Sequence, residues 1–189
     1  MLKLLKKFVP KEYHTSVLEI DFERLYQLNY KLILIDLDNT LVSYDVLDPT
    51  DEIYDFVKRI QDMGFEIIIC SNNKNTRVAR FCKNLKIKYL STCMKPLLFK
   101  VKKACKLASR KYHKNEIIFI GDQVMTDVFC GNRLGFYTIL IKAIKRKTEV
   151  FTTRFNRKLE RRIVNRIKKK DYNLYSISLK QYEEENYAK

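Results

Sequence analysis

The chain is expected to fold as a three-layer α/β domain, a parallel sheet with helices on both faces. Three observations carry that expectation. Apolar runs of strand length alternate with segments of helical period from residue 22 to residue 141, the pattern of strands joined by crossover helices. The runs are apolar almost throughout, as buried parallel strands are. Several end in acids or amides, and right-handed crossovers bring all such ends to one edge of the sheet. The clearest is Leu32-Ile-Leu-Ile35, which runs straight into Asp36 and Asp38. An unpaired buried carboxylate is strongly unfavourable, so two acids at a strand end ask for a metal or a reaction.

The elements follow in order. Residues 22–28 read as a short helix and 31–36 as the first buried strand. Pro49-Thr50-Asp51-Glu52 is a helix start, with proline early and acids in the first turn. Ile53, Phe56, Val57 and Ile60 then fall at helical spacing, and Gly64 closes that helix before a strand over 65–70. A helix is expected over 74–84 and a short strand over 87–91. Pro96 opens a helix running to about Lys111, and 116–120 is a strand ending in Gly121-Asp122. A helix from about Thr126 closes at Gly135, and 136–141 is the last strand.

Beyond it the composition changes. Between Lys142 and Lys170 stand thirteen Lys and Arg against two Glu. Phe155, Leu159, Ile163 and Ile167 recur every four residues, with Arg154, Arg157, Lys158, Arg161, Arg162 and Arg166 among them. The expectation is a basic amphipathic helix whose apolar stripe packs on the domain or meets an anionic lipid surface or nucleic acid. The Tyr- and Glu-rich stretch after Asp171 receives no structure. Three parts result: a basic lead-in over 1–30, a core over 31–150, and the helix with its polar tail over 151–189.

Composition narrows the function classes. The net charge is +16, which calls for an anionic partner. No apolar run approaches the length of a bilayer span. Met1 to Val9 lacks the continuous apolar stretch and cleavage site of a signal peptide. Its Leu2, Leu4, Leu5 and Phe8, among Lys3, Lys6 and Lys7, offer a second membrane contact. Five widely spaced cysteines without a Cys-x-x-Cys, and only two histidines, point to reduced thiols and away from a zinc site. Four glycines with no Walker pattern exclude a phosphate-binding P-loop.

The polar residues at the strand tips form a coherent set: Asp36 and Asp38; Ser71, Asn72 and Asn73; Lys95 before Pro96; Asp122 and Asp127. Carboxylates converging on one edge make a hard-oxygen site suited to Mg²⁺. A hydroxyl, an amide and a lysine beside it suit phosphoryl oxygens. Taken singly, Ser71-Asn72 also reads as a turn or helix cap, and Asp127 as an acid in a first helical turn.

In order, these residues resemble the haloacid dehalogenase (HAD) superfamily of phosphatases, whose Rossmann-like fold is an α/β sheet of the kind expected here. Asp36-Leu-Asp38-Asn-Thr40-Leu41 matches its first motif, Ser71 the second, Lys95 the third, and Gly121-Asp122 through Asp127 the fourth. Cys70-Ser-Asn-Asn73, Lys95-Pro96, Gly131-Asn132-Arg133 and the basic helix with Glu160-Arg-Arg162 are similar to the YqeG-like branch of subfamily IIIA, which includes the mitochondrial phosphatidylglycerophosphate phosphatases.

The resemblance implies that Asp36 is the nucleophile and Asp38 the general acid and base. It implies Mg²⁺ held by Asp36, the main-chain carbonyl of Asp38 and Asp122. Thr40, Ser71, Asn72 and Lys95 would bind the phosphate, Lys95 would also stabilise the transferring group, and Asp127 would support the site. Ser71 lies 33 positions after Asp38 and Lys95 24 after Ser71, too few for the lid domain of many HAD enzymes. A capless site suits a large anionic substrate. The expectation is a Mg²⁺-dependent phosphomonoesterase that converts phosphatidylglycerophosphate to phosphatidylglycerol, cytoplasmic and peripheral on the inner face of a membrane. The alternative is a phosphatase of nucleic-acid ends or an RNA- or ribosome-associated protein.

Overall fold

The computed structural model describes residues 2–149 and 151–187. Strands β1 (Glu12–His14), β2 (Leu32–Ile35), β3 (Glu66–Cys70), β4 (Lys88–Leu90), β5 (Ile117–Gly121) and β6 (Tyr137–Ile141) form one parallel sheet in the order β1-β6-β5-β2-β3-β4. The helices are α1 (Leu2–Leu5), α2 (Phe22–Gln27), α3 (Asp51–Asp62), α4 (Asn75–Leu85), α5 (Leu98–Cys105), α6 (Phe129–Leu134), α7 (Phe151–Lys170), α8 (Tyr172–Ser178) and α9 (Lys180–Tyr187). None of the described helices is long and apolar enough to cross a membrane.

The central strands are apolar on both sides because both faces are covered. Ile33, Ile35, Ile67, Ile69, Ile118 and Ile120 face α2, α3 and α4. Their neighbours Leu32, Leu34, Ile68, Ile117 and Phe119 face α5 and α6. In register, Leu32 stands opposite Glu66 on one side and Ile117 on the other. The chain moves outward from β2 through β3 to β4, then returns to lay β5 on β2's other side. That reversal opens a crevice at the carboxyl ends of β2 and β5. Local signals hold where expected: the Thr50 side chain caps α3 by accepting from the Ile53 amide at 3.4 Å, and Gly64 takes the left-handed conformation, φ +94°, after it.

Five expectations are corrected. The segment read as a lead-in contributes β1, an edge strand paired with β6. The helix expected from Pro96 to Lys111 covers only Leu98–Cys105. The tail after Asp171 is helical, and it packs Tyr175, Leu179 and Tyr182 with Val164 and Ile167 of α7 and with Leu5, Phe8 and Val9. Leu5 and Phe8 are therefore core residues; of the apolar side chains expected in a second membrane contact only Leu2 and Leu4 stay exposed. Finally, α7 is rotated relative to the expected stripe. It buries Thr153, Arg157, Glu160, Val164 and Ile167, whereas Phe155 is 54% exposed.

Strand β1 is tied down by Glu12, which accepts from Tyr137 Oη at 2.5 Å, meets His14 Nε2 at 2.9 Å and pairs with Arg24. The His14 contact, with those from Tyr137 and Arg24, outweighs partial burial and lowers the Glu12 carboxyl to about 2. A lowered carboxyl stabilises the fold above its unfolded pKa and loses that contribution as pH falls towards its folded value. Thermal melts should show Glu12→Gln less stable than the parent at neutral pH, with the gap closing as pH drops from about 4.5 to about 2.

Candidate active site

The carboxyl ends of β2, β3 and β5 surround a cavity of about 480 Å³. Asp36, Asp38, Ser71, Asn72 and Lys95 line it, with Thr152, Thr153 and Asn156 of α7 forming one wall. No lid domain interrupts the described chain between Asp38 and Ser71, where α3 and β3 stand, or between Ser71 and Lys95, where α4 and β4 stand. The cavity is open, but α7 narrows it.

Asp36 follows β2 directly, and its amide still donates to the Ile120 carbonyl at 2.9 Å. Its carboxylate is buried against Lys95, with Nζ to Oδ1 at 2.6 Å; the same ammonium reaches Asp127 Oδ1 at 2.7 Å. Burial pushes the Asp36 carboxyl well above the usual range; Lys95 opposes that, while Asp127, Asp122 and Asp38 reinforce it. Burial also works against the charge on Lys95, yet Asp127 and Asp36 outweigh it and hold the ammonium well above the usual lysine range. One buried cation thus serves two buried anions.

Asp38 is placed by a tight turn. The amides of Thr40 and Leu41 return to the Leu37 carbonyl, and Asn39 takes a positive φ of 64°. Asp38 Oδ1 accepts from Arg77 Nε at 2.6 Å and Oδ2 from Asn73 Nδ2 at 3.0 Å. Arg77 also donates to the carbonyls of Val46 and Ser43, so one guanidinium holds both the acid and the loop beyond it.

Ser71 is buried with Oγ accepting from the Asn73 amide at 3.0 Å. Asn72 clamps the main chain of Lys95: its Oδ1 accepts from the Lys95 amide at 2.7 Å and its Nδ2 donates to the Lys95 carbonyl at 3.2 Å. Both amide atoms are thus engaged in placing the lysine. Thr40 was expected at the phosphate, but the turn buries it, outside the residues that line the cavity.

Asp122 follows β5 directly and is fully buried. Arg157 donates to its Oδ2 and, at 2.6 Å, to its main-chain carbonyl; Oδ1 has no partner. Burial raises this carboxyl to about 7; Arg157 opposes the rise, and Asp127 and Glu160 add to it. Asp127 Oδ2 accepts from the Gln123 amide at 3.1 Å and from Thr126 Oγ1 at 3.2 Å. Gly121 is required by this approach, since a Cβ there would lie 2.2 Å from Asp127 Cγ.

Asp36, Asp122 and Asp127 each offer an oxygen, and those atoms lie within 4.8 Å of one another. The orphaned Oδ1 of Asp122 and the all-oxygen donor set fit a hard divalent cation. The Asp38 carboxylate stands outside this cluster, against Arg77, so only its main-chain carbonyl is left for a metal.

Sequence reading missed two cations. Arg77 lies in the first turn of α4, where a cation is unfavourable unless an anion holds it; that placement was the available signal. Arg157 was read as one of six solvent-facing bases, but it is buried among Asp122, Glu149 and Glu160.

The comparisons agree with this architecture. A curated Bacillus subtilis (strain 168) protein named "Probable phosphatase YqeG" is 36% identical over 170 residues, which are 89% of this chain and 97% of that protein. "Phosphatidylglycerophosphate phosphatase 1, chloroplastic/mitochondrial" of Arabidopsis thaliana is 29% identical over 163 residues, 81% of this chain but 47% of the plant protein. An uncharacterized Listeria monocytogenes serotype 4b protein of known structure shares the fold, with a TM-score of 0.50 at 14% identity over 65% of this chain and 88% of that one. The family model for mitochondrial PGP phosphatase matches residues 2–145. With its motifs in order at one sheet edge, the chain belongs to the mitochondrial PGP phosphatase family of HAD-type phosphatases, hydrolases of phosphoric monoesters.

Proposed function

We propose that the protein removes the terminal phosphate of phosphatidylglycerophosphate at a membrane surface, giving phosphatidylglycerol and inorganic phosphate through a phospho-Asp36 intermediate. The observation that carries this reading is the Lys95 ammonium, 2.6 Å from Asp36 and 2.7 Å from Asp127, at the wall of an open cavity. It supplies fixed positive charge beside the attacking oxygen, where an anionic phosphate must arrive. The name of the plant relative supports the choice of lipid.

Asp36 attacks phosphorus in line with the ester oxygen, forming the acyl phosphate as the ester P–O bond breaks. Asp38, oriented by Arg77 and Asn73, protonates the departing glycerol oxygen and then takes a proton from the water that hydrolyses phospho-Asp36. Lys95 neutralises phosphoryl oxygens throughout, and the buried Ser71 hydroxyl donates to another of them. Asp127 and Asn72 keep Lys95 in place. Asp36, Asp122 and the Asp38 carbonyl would hold Mg²⁺, with Asp127 behind them. Bound there, Mg²⁺ weakens the repulsion between the carboxylate and the phosphate.

Purified protein should release phosphate from phosphatidylglycerophosphate in mixed micelles with Mg²⁺, lose that activity in EDTA and regain it on adding Mg²⁺ back. Because the cation binds the folded state, Mg²⁺ alone should raise Tm. Hydrolysis of phosphorylated nucleic-acid ends with none of the lipid would overturn the substrate, and undiminished activity in EDTA would overturn the metal.

A further inference from the structure

The solvent side of α7 carries a second pattern, unrelated to the face that packs. Phe151, Phe155, Lys158, Arg162, Arg166 and Lys169 follow one another at spacings of 4, 3, 4, 4 and 3 residues. Their mean equals the helical period, so the six lie in one straight line along a helix about 30 Å long. All six are exposed, Phe151 by 83% and Phe155 by 54%.

The four bases have no ion-pair or hydrogen-bond partner among the described residues. Most of the helix's bases off this line are engaged: Lys168 pairs with Glu183 at 3.0 Å, Arg161 lies over the Tyr187 ring, and Arg154 donates to the Glu149 carbonyl; Lys170, the helix's last residue, is the exception. The two phenylalanines stand at the cavity end, immediately before the wall residues Thr152 and Asn156. Met94, also on the cavity rim, is another exposed apolar group.

We propose that this line is the docking surface for a bilayer rich in anionic lipid. Phe151 and Phe155 enter the headgroup layer beside the cavity, and Lys158, Arg162, Arg166 and Lys169 rest on the lipid phosphates. The chemistry favours a membrane over a polynucleotide. Two bare phenylalanines at the end of an otherwise cationic line suit an interface with an apolar interior, and unpaired bases aligned along one helix face suit a flat anionic plane. Docked so, α7 sets the cavity mouth at the height of the headgroups. The inference rests on the lipid-substrate reading above and adds the surface through which the site meets the lipid.

The test is flotation of the full chain with vesicles of phosphatidylcholine plus phosphatidylglycerol, against pure phosphatidylcholine vesicles and a single-stranded RNA, all at physiological salt. The parent should float with the anionic vesicles only, and less so as salt rises. The variant K158E/R162E/R166E/K169E should lose binding by about tenfold or more, and F151S/F155S should also release the vesicles. Both should keep the parent's Tm and its rate on p-nitrophenyl phosphate, because none of these side chains is buried or lines the cavity.

Failure of the parent to float, equal flotation of parent and variants, or tighter binding to RNA than to vesicles would overturn the proposal. Hydrolysis of phosphatidylglycerophosphate in detergent micelles is scored separately. Vesicle binding that the variants lose, without lipid hydrolysis, would uphold the docking surface while the substrate assignment fell.

Discussion

Asp36→Asn should abolish phosphate release, by on the order of a thousandfold or more in kcat, while leaving Tm at or slightly above that of the parent. Asparagine keeps the shape of the buried group but cannot form the acyl phosphate. It also removes one of two carboxylates that share a single ammonium, Lys95 lying 2.6 Å from Asp36 and 2.7 Å from Asp127. Burial already pushes the Asp36 carboxyl up, so the charge it removes is one the fold holds at a cost.

Lys95→Ala should also abolish activity but with the opposite effect on the fold. It leaves Asp36 and Asp127 buried without a counter-ion, a loss of about 3–5 kcal/mol. Thermal melts and phosphate release on the two variants check both halves. A large loss of stability in Asp36→Asn, or an unchanged Tm in Lys95→Ala, would show that the lysine does not hold the two acids as described. Activity retained by Asp36→Asn would remove it as the nucleophile.

The parts of this site that could be read from the sequence are those fixed by strand periodicity. A buried parallel strand has a definite end, and the residue after it has one place to be: the edge where Asp36, Ser71 and Asp122 meet. Asn72 and Thr40 were harder. Both sit in turns, and a turn decides which way a short polar side chain points; Asn72 turns to the Lys95 main chain and Thr40 turns inward.

The rotation of α7 has a geometric cause. Phe155, Leu159, Ile163 and Ile167 recur strictly every four residues. On a helix that advances about 100° per residue such a row drifts about 40° at each step. Phe155 and Ile167 therefore lie about 120° apart and cannot share one face. Thr153, Arg157, Glu160, Val164 and Ile167, spaced 4, 3, 4 and 3, stay on one. That alternative row contains an arginine and a glutamate, so a hydrophobicity pattern passes over it. A buried ion pair is invisible to a reading that sorts residues by polarity alone.

Arg157→Met should therefore destabilise the protein far more than loss of a surface arginine would. The parent guanidinium meets Asp122, Glu149 and Glu160, with Glu149 Oε1 2.9 Å from Nη2 and Glu160 Oε2 3.4 Å from Nη1. Burial raises Glu160 even with the arginine in place, and Asp122 stands at about 7. Without the guanidinium three acids face one another in the interior, and the expected loss is about 3–5 kcal/mol. At about 2–4 °C per kcal/mol for a chain of this size, Tm should fall by roughly 6–20 °C.

Adding Glu149→Gln and Glu160→Gln to that variant should recover much of the stability by removing the stranded charges. Activity should stay low, because Asp122 Oδ2 is no longer held and its free Oδ1 is no longer aimed at the acidic cluster with Asp36. Melting curves with a coupling analysis separate the charge contribution from the positioning one, and the Mg²⁺-induced rise in Tm should remain diminished in the triple variant. An Arg157→Met protein that melts with the parent would place Arg157 in solvent, and recovery of full activity in the triple variant would show that Arg157 balances charge without positioning Asp122.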